Sequence, residues 1–175
     1  MAGFLNPEGL LKDIGILEPG MNVGDFGCGA GYFSVALAKN VGEGGRVYAV
    51  DILESALETV KRRALQAGIT NIDYIRANLE NVGSTGIPNG TLQMVLLATI
   101  LFQADKKERI LQESKRVLQK GGFLVIIDWD PQAPIGPGSY KVPKQDVITM
   151  AQQTGFILER EINVDSYHYG LLFRN

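Results

Sequence analysis

The amino-acid sequence predicts an α/β fold, in which a mainly parallel β-sheet carries helices on both faces. Short β-rich segments alternate with helical segments along the 175 residues, and no internal repeat or low-complexity tract interrupts the alternation. The segment 123–127 is apolar at every position, which is typical of a strand that is covered on both sides. We therefore expect one domain over residues 1–175.

Local signals define the individual elements. Asn6 and Pro7 suit the N-cap and the first position of the first helix, and Gly68 stops the third helix. Only Asp165 and Ser166 separate the last two strands, so no crossover helix fits between them and they should pair antiparallel. The predicted helices span residues 7–17, 32–39, 54–66, 106–118 and 144–154, and the predicted strands span residues 22–26, 46–50, 72–76, 92–98, 123–128, 156–164 and 167–174.

Composition and charge argue against several classes of protein. The 17 Lys and Arg residues against 19 Asp and Glu residues give a net charge of −2, which disfavours a strongly basic nucleic-acid-binding face. One cysteine and one histidine provide neither an internal disulfide nor a metal-ligand cluster. The longest apolar run, 94–102, is too short for a membrane helix, and the first residues do not resemble a signal peptide. We expect a cytoplasmic protein without a metal or a membrane span.

A glycine-rich loop between the first strand and the second helix predicts a ligand site. In residues 27–31, which are Gly-Cys-Gly-Ala-Gly, a ligand can closely approach backbone amides and the positive end of a helix. Asp51 ends the next strand about 20 residues after Gly31, at an offset where a carboxylate can accept hydrogen bonds from ribose hydroxyls. Together the two features predict a ligand that contains a nucleoside.

The residues around this loop distinguish between two nucleoside cofactors. A dinucleotide fingerprint requires glycine or alanine at the position of Tyr32, and the Asp25 carboxylate would repel a pyrophosphate. The same carboxylate would hold the ammonium group of an amino-acid-like ligand. These residues favour S-adenosylmethionine over NAD, and a nicotinamide-dependent oxidoreductase is the disfavoured alternative.

Four motifs resemble those of class I S-adenosylmethionine-dependent methyltransferases, and most closely the ubiquinone/menaquinone-biosynthesis type. They are DFGCGAG at 25–31, VYAVD at 47–51, RANLEN at 76–81 and VLQKGG at 117–122. The resemblance extends roughly from residue 19 to the C-terminus. It implies a Rossmann-like seven-stranded sheet that is mostly parallel and has an antiparallel C-terminal strand.

The resemblance also implies which residues contact the cofactor. Asp25 and the glycines would contact the methionyl part, Asp51 the ribose, and Asn78 with Leu79 the adenine. The family often has an acidic residue where this chain has Asn78, and Gln93 stands where an acidic residue commonly opens the fourth strand. The residues predicted to bind S-adenosyl-L-methionine, and its product S-adenosyl-L-homocysteine, are Asp25, Gly27, Cys28, Gly29, Gly31, Tyr32, Asp51, Ile52, Asn78, Leu79 and Thr99.

The methyl acceptor is expected beside the cofactor, at the carboxyl ends of the first, fourth and fifth strands. There Asp128 could act as a catalytic base, and Phe102, Trp129 and Tyr140 could bind an apolar or aromatic acceptor. The alternative is that Asp128 merely ends a strand and Trp129 covers the core. The irregular segment 131–143 is a candidate lid over the acceptor, or else a connection without that role.

His168 and Cys28 carry less specific signals. As the only histidine of the chain, His168 could move a proton, although a packed or half-exposed ring is the commoner situation. Cys28 lies within the glycine loop, where a small side chain suffices, and a reactive thiol would need a histidine nearby. We therefore interpret Cys28 as structural.

These patterns favour methyl transfer to an unidentified acceptor by in-line displacement. Correct placement of the two reacting atoms can lower the activation barrier by about 7–11 kcal/mol, so such an enzyme needs no catalytic triad. A protein that binds the adenosyl ligand without turnover is the other alternative. The acceptor could be a small molecule or a macromolecule, and a homodimer could complete an open pocket.

Overall fold

The computed structural model describes residues 5–175, which contain five α-helices and seven β-strands. The helices are α1 (Pro7–Ile14), α2 (Tyr32–Val41), α3 (Glu54–Gln66), α4 (Lys107–Val117) and α5 (Lys144–Gln153). The strands are β1 (Asn22–Phe26), β2 (Arg46–Asp51), β3 (Ile72–Arg76), β4 (Leu92–Ala98), β5 (Leu118–Trp129), β6 (Ile157–Ile162) and β7 (His168–Arg174). Short 3₁₀ turns lie at Leu101–Gln103 and Gly138–Tyr140.

The seven strands form one sheet in the order β3-β2-β1-β4-β5-β7-β6. The pairs among β1 to β5 are parallel, while β7 runs antiparallel between β5 and β6. This confirms the predicted α/β class, with a mostly parallel seven-stranded sheet and an antiparallel C-terminal strand. The strand order reverses between β1 and β4, and such a reversal opens a crevice at the carboxyl ends of the strands.

Helices cover both faces of the sheet, and the side chains of each strand alternate between the two core layers. In β4, Met94 and Leu96 pack in the layer under α1, α2 and α3, whereas Val95 and Leu97 pack in the layer under α4 and α5. All four side chains are fully buried. Burial on both sides holds the central strands rigidly and leaves their carboxyl ends as the edge on which a site can form.

Two element boundaries differ from the prediction by three residues or more. Helix α1 ends at Ile14 because Gly15 adopts a left-handed conformation with φ of 68° and caps the helix. Strand β5 begins directly after α4, because Leu118 already pairs with Leu92 across an irregularity in the β4–β5 ladder. The side-chain amide of Asn175 donates to the Leu118 carbonyl over 3.0 Å and so holds this early part of the strand.

Candidate functional site

Two adjoining cavities open at the carboxyl ends of the central strands. Cavity A has a volume of about 430 Å³ and lies between the glycine loop 27–31, the end of β5 and the start of β7. Cavity B has a volume of about 590 Å³ and extends toward the end of β2 and the segment 77–80. Gly27, Gly29 and residues 98–99 line both cavities, so the two form one continuous groove.

The glycine loop needs its glycines for two different reasons. Gly27, Gly29 and Gly31 have positive φ angles of 79°, 48° and 79°, a region that strains other residues. A Cβ added to Gly27 would lie 2.3 Å from Cδ1 of Ile100, whereas a Cβ added to Gly29 would meet no atom within 4 Å. Gly27 therefore permits close packing, and Gly29 presents bare backbone to the groove.

Asp51 is held in place by the backbone at the end of β2. Its Oδ2 accepts a hydrogen bond from the Gly29 N–H over 3.0 Å, and its Oδ1 accepts one from the Leu53 N–H over 3.0 Å. The carboxylate lines cavity B beside Ile52. Since each oxygen has further lone pairs, this fixed carboxylate can still accept hydrogen bonds from two hydroxyl groups of a ligand.

Asp25 is a buried acid at the end of cavity A that lies near the glycine loop. Its side chain is 1% exposed, and its Oδ2 accepts a hydrogen bond from the Ser34 hydroxyl over 2.5 Å. Burial raises the pKa of Asp25 to about 6, and the negative charge of Asp51 adds to the rise, while the Ser34 hydroxyl opposes it. A cationic group of a ligand would stabilise the ionised form of this acid.

Cys28 and Tyr32 also line cavity A. Burial raises the pKa of the Cys28 thiol, and the negative charges of Asp25 and Asp51 raise it further, so the thiol stays protonated at neutral pH. The Tyr32 ring is half-exposed, and the Arg63 guanidinium lies over it at 3.8 Å from the ring centroid. A thiol that stays protonated is consistent with the structural role that the sequence suggests for Cys28.

Asn78, Leu79 and Thr99 complete the wall of cavity B. The Asn78 Oδ1 accepts a hydrogen bond from the Glu80 N–H over 2.9 Å, which orients its amide group. Thr99 has a φ of 53°, an unfavourable conformation for a β-branched residue, and its N–H donates to the Ile127 carbonyl over 2.7 Å. Strained backbone of this kind clusters at functional sites, and Thr99 lies where the two cavities meet.

Asp128 lies behind the groove and is not among the described residues that line either cavity. Its Oδ2 accepts a hydrogen bond from the Leu101 N–H over 3.0 Å, and its Oδ1 accepts one from the Trp129 N–H over 2.8 Å. Burial raises the pKa of Asp128 to about 6, although the same two N–H groups lower it in part. The carboxylate thus holds the chain after β4 against the end of β5, and its role as a base stays a prediction.

The structure separates the three predicted acceptor-binding residues. Trp129 lines cavity A, whereas the described lining of both cavities omits Phe102 and Tyr140. Phe102 packs partly against the core, and Tyr140 is 74% exposed. Segment 131–143 meets the site through Gly136, where an added Cβ would come within 2.5 Å of the Trp129 ring. A lid function of this segment stays a prediction.

Sequence reasoning missed several residues of cavity A. Leu5, Pro7 and Phe33 contribute apolar surface. His168, which the sequence already suggests as a residue that could move a proton, lies opposite Trp129 in the β5–β7 register, and its place in this cavity was not predicted. The sequence predicted an antiparallel last strand that contains His168. The register that places His168 opposite Trp129 depends on contacts distant in sequence, so it could not be predicted. Leu5 and Pro7 precede the glycine loop, and no sequence pattern connects them to it.

Among the described residues, no group of three or more His, Cys, Asp or Glu side chains is arranged to hold a metal ion. Within residues 5–175, none of the helices has the length and apolar character that crossing a membrane requires.

Comparisons with known proteins show which family the chain resembles. The family model described as "Methyltransferase domain" matches residues 17–161. The ubiquinone/menaquinone biosynthesis C-methyltransferase UbiE of Hydrogenovibrio crunogenus is 34% identical over 114 residues, which make up 65% of this chain and 44% of that protein. UbiE of Shewanella sp. (strain ANA-3) is 29% identical over 154 residues, or 87% of this chain and 58% of that protein. The chain thus spans about half the length of these curated relatives.

A solved structure is similar over nearly the whole chain. The crystal structure of a SAM dependent methyltransferase from Aquifex aeolicus has a TM-score of 0.88 and 28% sequence identity, and the match covers 97% of this chain and 89% of that one. The chain belongs to the methyltransferase-domain family. These findings confirm the predicted resemblance to class I S-adenosylmethionine-dependent methyltransferases.

Proposed function

We propose that this protein transfers a methyl group from S-adenosylmethionine to an acceptor that binds in cavity A. The observation that carries the proposal is the continuous groove: Asp25 lines cavity A, Asn78 lines cavity B, and the glycine loop lies between them with Asp51 bonded to its Gly29. We also propose that a single domain, residues 1–175, performs both binding and transfer.

The side chains of the groove fit the chemical parts of this cofactor. The Asp51 carboxylate, which the Gly29 and Leu53 amides orient, suits two ribose hydroxyls. The buried Asp25 suits the ammonium group of the methionyl part, and the bare backbone of Gly29 leaves room for close approach. The Asn78 amide suits the polar edge of the adenine.

The proposed mechanism depends mainly on positioning. When bound, S-adenosylmethionine supplies a methyl group on a sulfonium, from which a neutral thioether departs. The residues of cavity A would hold the acceptor in line with that methyl group, with the apolar Phe33 and Trp129 side chains displacing water around it. Positioning of two reactants in this way lowers the activation barrier by about 7–11 kcal/mol in favourable cases. NAD is disfavoured because Asp25 would repel its pyrophosphate.

The first experiment measures binding of S-adenosylhomocysteine and NAD to the protein by calorimetry. We expect S-adenosylhomocysteine to bind and NAD not to, and Asp51→Ala to weaken binding about tenfold or more, since hydrogen bonds to a charged group contribute roughly 1.5–3 kcal/mol. Asp73→Ala is the matched control, because this carboxylate lies on β3 and pairs with Arg46 over 2.8 Å. A preference for NAD, or unchanged affinity in Asp51→Ala, would contradict the proposal.

A screen for the acceptor follows from the relatives. Their name is ubiquinone/menaquinone biosynthesis C-methyltransferase, so precursors of these quinones are the first candidates for this chain. The panel adds 1,4-dihydroxynaphthalene, phenol, indole and an aliphatic thiol, and release of S-adenosylhomocysteine reports turnover. If the ligand binds and no acceptor in a broad panel is turned over, the alternative of binding without turnover gains support. A homodimer and a cytoplasmic location stay predictions.

A further inference from the structure

His168 forms part of the wall of cavity A, although nothing in its sequence neighbourhood distinguishes it. It is the first residue of β7, pairs with Trp129 across the β5–β7 ladder and lines the cavity beside it. Its side chain is 1% exposed, and its ring centroid lies 4.2 Å from that of Trp129 with an interplanar angle of 41°. The imidazole is therefore fixed by packing at the edge of a cavity.

Asp165 fixes one of the two ring nitrogens. Nδ1 of His168 lies 2.9 Å and 3.0 Å from the two carboxylate oxygens of Asp165. The carboxylate is itself held, because its Oδ1 accepts hydrogen bonds from the N–H groups of Tyr167 and His168 over 2.8 Å and 2.9 Å. Burial alone would raise the pKa of Asp165, but these bonds together with the His168 ring lower it, so the carboxylate is ionised and accepts the proton on Nδ1.

This arrangement leaves Nε2 as the ring nitrogen that can take up a proton. Among the described residues, no fully buried side-chain nitrogen or oxygen lacks a hydrogen-bond partner, and the partner of this ring binds at Nδ1. Nε2 is therefore not fully buried, and the ring that carries it lines cavity A.

We propose that His168, oriented by Asp165, accepts the proton of the methyl acceptor during transfer. The proposal rests on the methyl transfer proposed above. The acceptor atom forms a bond to the methyl carbon, the carbon–sulfur bond breaks with its electron pair remaining on sulfur, and the proton of the acceptor passes to Nε2 of His168. Asp165 acts as a positioning residue, because it sets the tautomer that leaves Nε2 free.

The same arrangement defines the class of acceptor. A base is useful only where the reacting group carries a proton at neutral pH, so the acceptor has an O–H, N–H or S–H group at or conjugated to the methylated position. Its body is apolar, since Leu5, Phe33 and Trp129 line the same cavity as His168 and give it apolar surface. Acceptors whose reacting atom has no proton to lose, such as thioethers, would gain nothing from His168.

The test is an NMR measurement on the ¹⁵N-labelled protein loaded with S-adenosylhomocysteine. Because His168 is the only histidine, its two ring nitrogens are identified without ambiguity. We expect the singly protonated ring to carry its proton on Nδ1 and none on Nε2. In Asp165→Asn the Nε2–H tautomer becomes populated. The matched control Glu161→Gln, which removes a β6 carboxylate that pairs with Lys144 of α5, leaves the wild-type pattern.

Turnover of the fastest panel acceptor gives a second readout. We expect His168→Gln to lower kcat about 100-fold while the affinity for S-adenosylhomocysteine changes less than about twofold. A ring that carries its proton on Nε2, or that is doubly protonated at neutral pH, would overturn the proposal, as would unchanged kcat in His168→Gln. Failure of the wild type to bind S-adenosylhomocysteine would instead contradict the proposed function, so the two failures are distinguishable.

Discussion

Asp25 illustrates how one residue can serve ligand recognition at the expense of stability. The carboxylate is buried beneath the glycine loop, and the Ser34 hydroxyl is its hydrogen-bond donor. Because burial disfavours the charged form, the pKa of Asp25 rises from an ordinary value of 3.8 to about 6. At neutral pH the free protein therefore carries a buried negative charge. The ammonium group of the cofactor would offset that cost on binding.

We predict that Asp25→Asn stabilises the free protein at pH 8 by about 1–3 kcal/mol, since a rise of one pKa unit corresponds to about 1.4 kcal/mol. The folded-state pKa is raised, so the destabilisation by the ionised acid is fully present above about pH 6 and is lost as the pH falls toward 3.8. Urea unfolding of both proteins at pH 8 and pH 5 measures the difference, which should shrink at the lower pH.

The exposed Asp13 supplies the control for this measurement. Asp13→Asn should leave the free energy of unfolding nearly unchanged at both pH values. A larger stability gain for Asp25→Asn at pH 5 than at pH 8 would contradict the expected sign. Asp25→Asn should also weaken binding of S-adenosylhomocysteine, because the variant no longer offers a charge to the ammonium group.

The loop between β1 and α2 shows how an element is adapted to its ligand. The loop is hydrogen-bonded to β2, because the N–H groups of Gly27 and Cys28 both donate to the Val50 carbonyl, over 2.8 Å and 3.0 Å. Its upper surface at Gly29 is bare backbone with open space above it. The loop is thus rigid on the side of the sheet and accessible on the side of the groove.

We predict that Gly29→Ala folds but binds S-adenosylhomocysteine at least about tenfold more weakly, because its methyl group would occupy space in the groove. The positive φ costs about 1–2 kcal/mol of stability. Gly68→Ala is the matched control, since Gly68 also has a positive φ, of 67°, and open space around it but follows α3 away from both cavities. Calorimetry and thermal unfolding of both variants separate the effect on binding from the effect on folding.

Equal losses of affinity in the two variants would mean that general strain, and not the position in the groove, weakens binding. Gly27→Ala should differ from both. Its Cβ would lie 2.3 Å from the Ile100 side chain, so we expect a larger loss of stability than in Gly29→Ala.

The whole molecule couples the groove to the stability of the sheet. The groove lies along the ends of β1, β2 and β4, whose side chains fill both core layers. A ligand that binds only the folded state therefore stabilises every element that these strands hold together. Thermal unfolding of the intact protein is a direct measure of which nucleoside the groove accepts.

We predict that S-adenosylhomocysteine at about 100 times its Kd raises Tm by roughly 5–10 °C, because such an excess adds about 2.7 kcal/mol to the free energy of unfolding. NAD at the same concentration should leave Tm unchanged. Scanning calorimetry measures both shifts, and Asp51→Ala should reduce the shift with S-adenosylhomocysteine. A rise of Tm with NAD alone would contradict the assignment of the groove.

Much of the fold could be predicted because its signals are local. The bounds of Glu54–Gln66, Ile72–Arg76 and Leu92–Ala98 agree with the prediction, since turn residues and hydrophobic periodicity mark each end. The start of β5 could not be predicted in this way. Leu118 joins the sheet through its pairing with Leu92 and its bond from Asn175, and neither contact leaves a mark near the end of α4.

The two ends of the groove differ in how far the sequence could predict them, again because one depends on local signals and the other on distant contacts. The glycine loop and Asp51 could be identified from spacing, because one strand–turn–helix unit and the strand after it bring them together. The acceptor end depends on distant parts of the chain: the β5–β7 register joins Trp129 to His168, and the packing of α1 brings Pro7 beside them. Local chemistry in the sequence thus identifies the cofactor. The shape of cavity A and the free nitrogen of His168 arise only when antiparallel pairing and core packing bring these segments together.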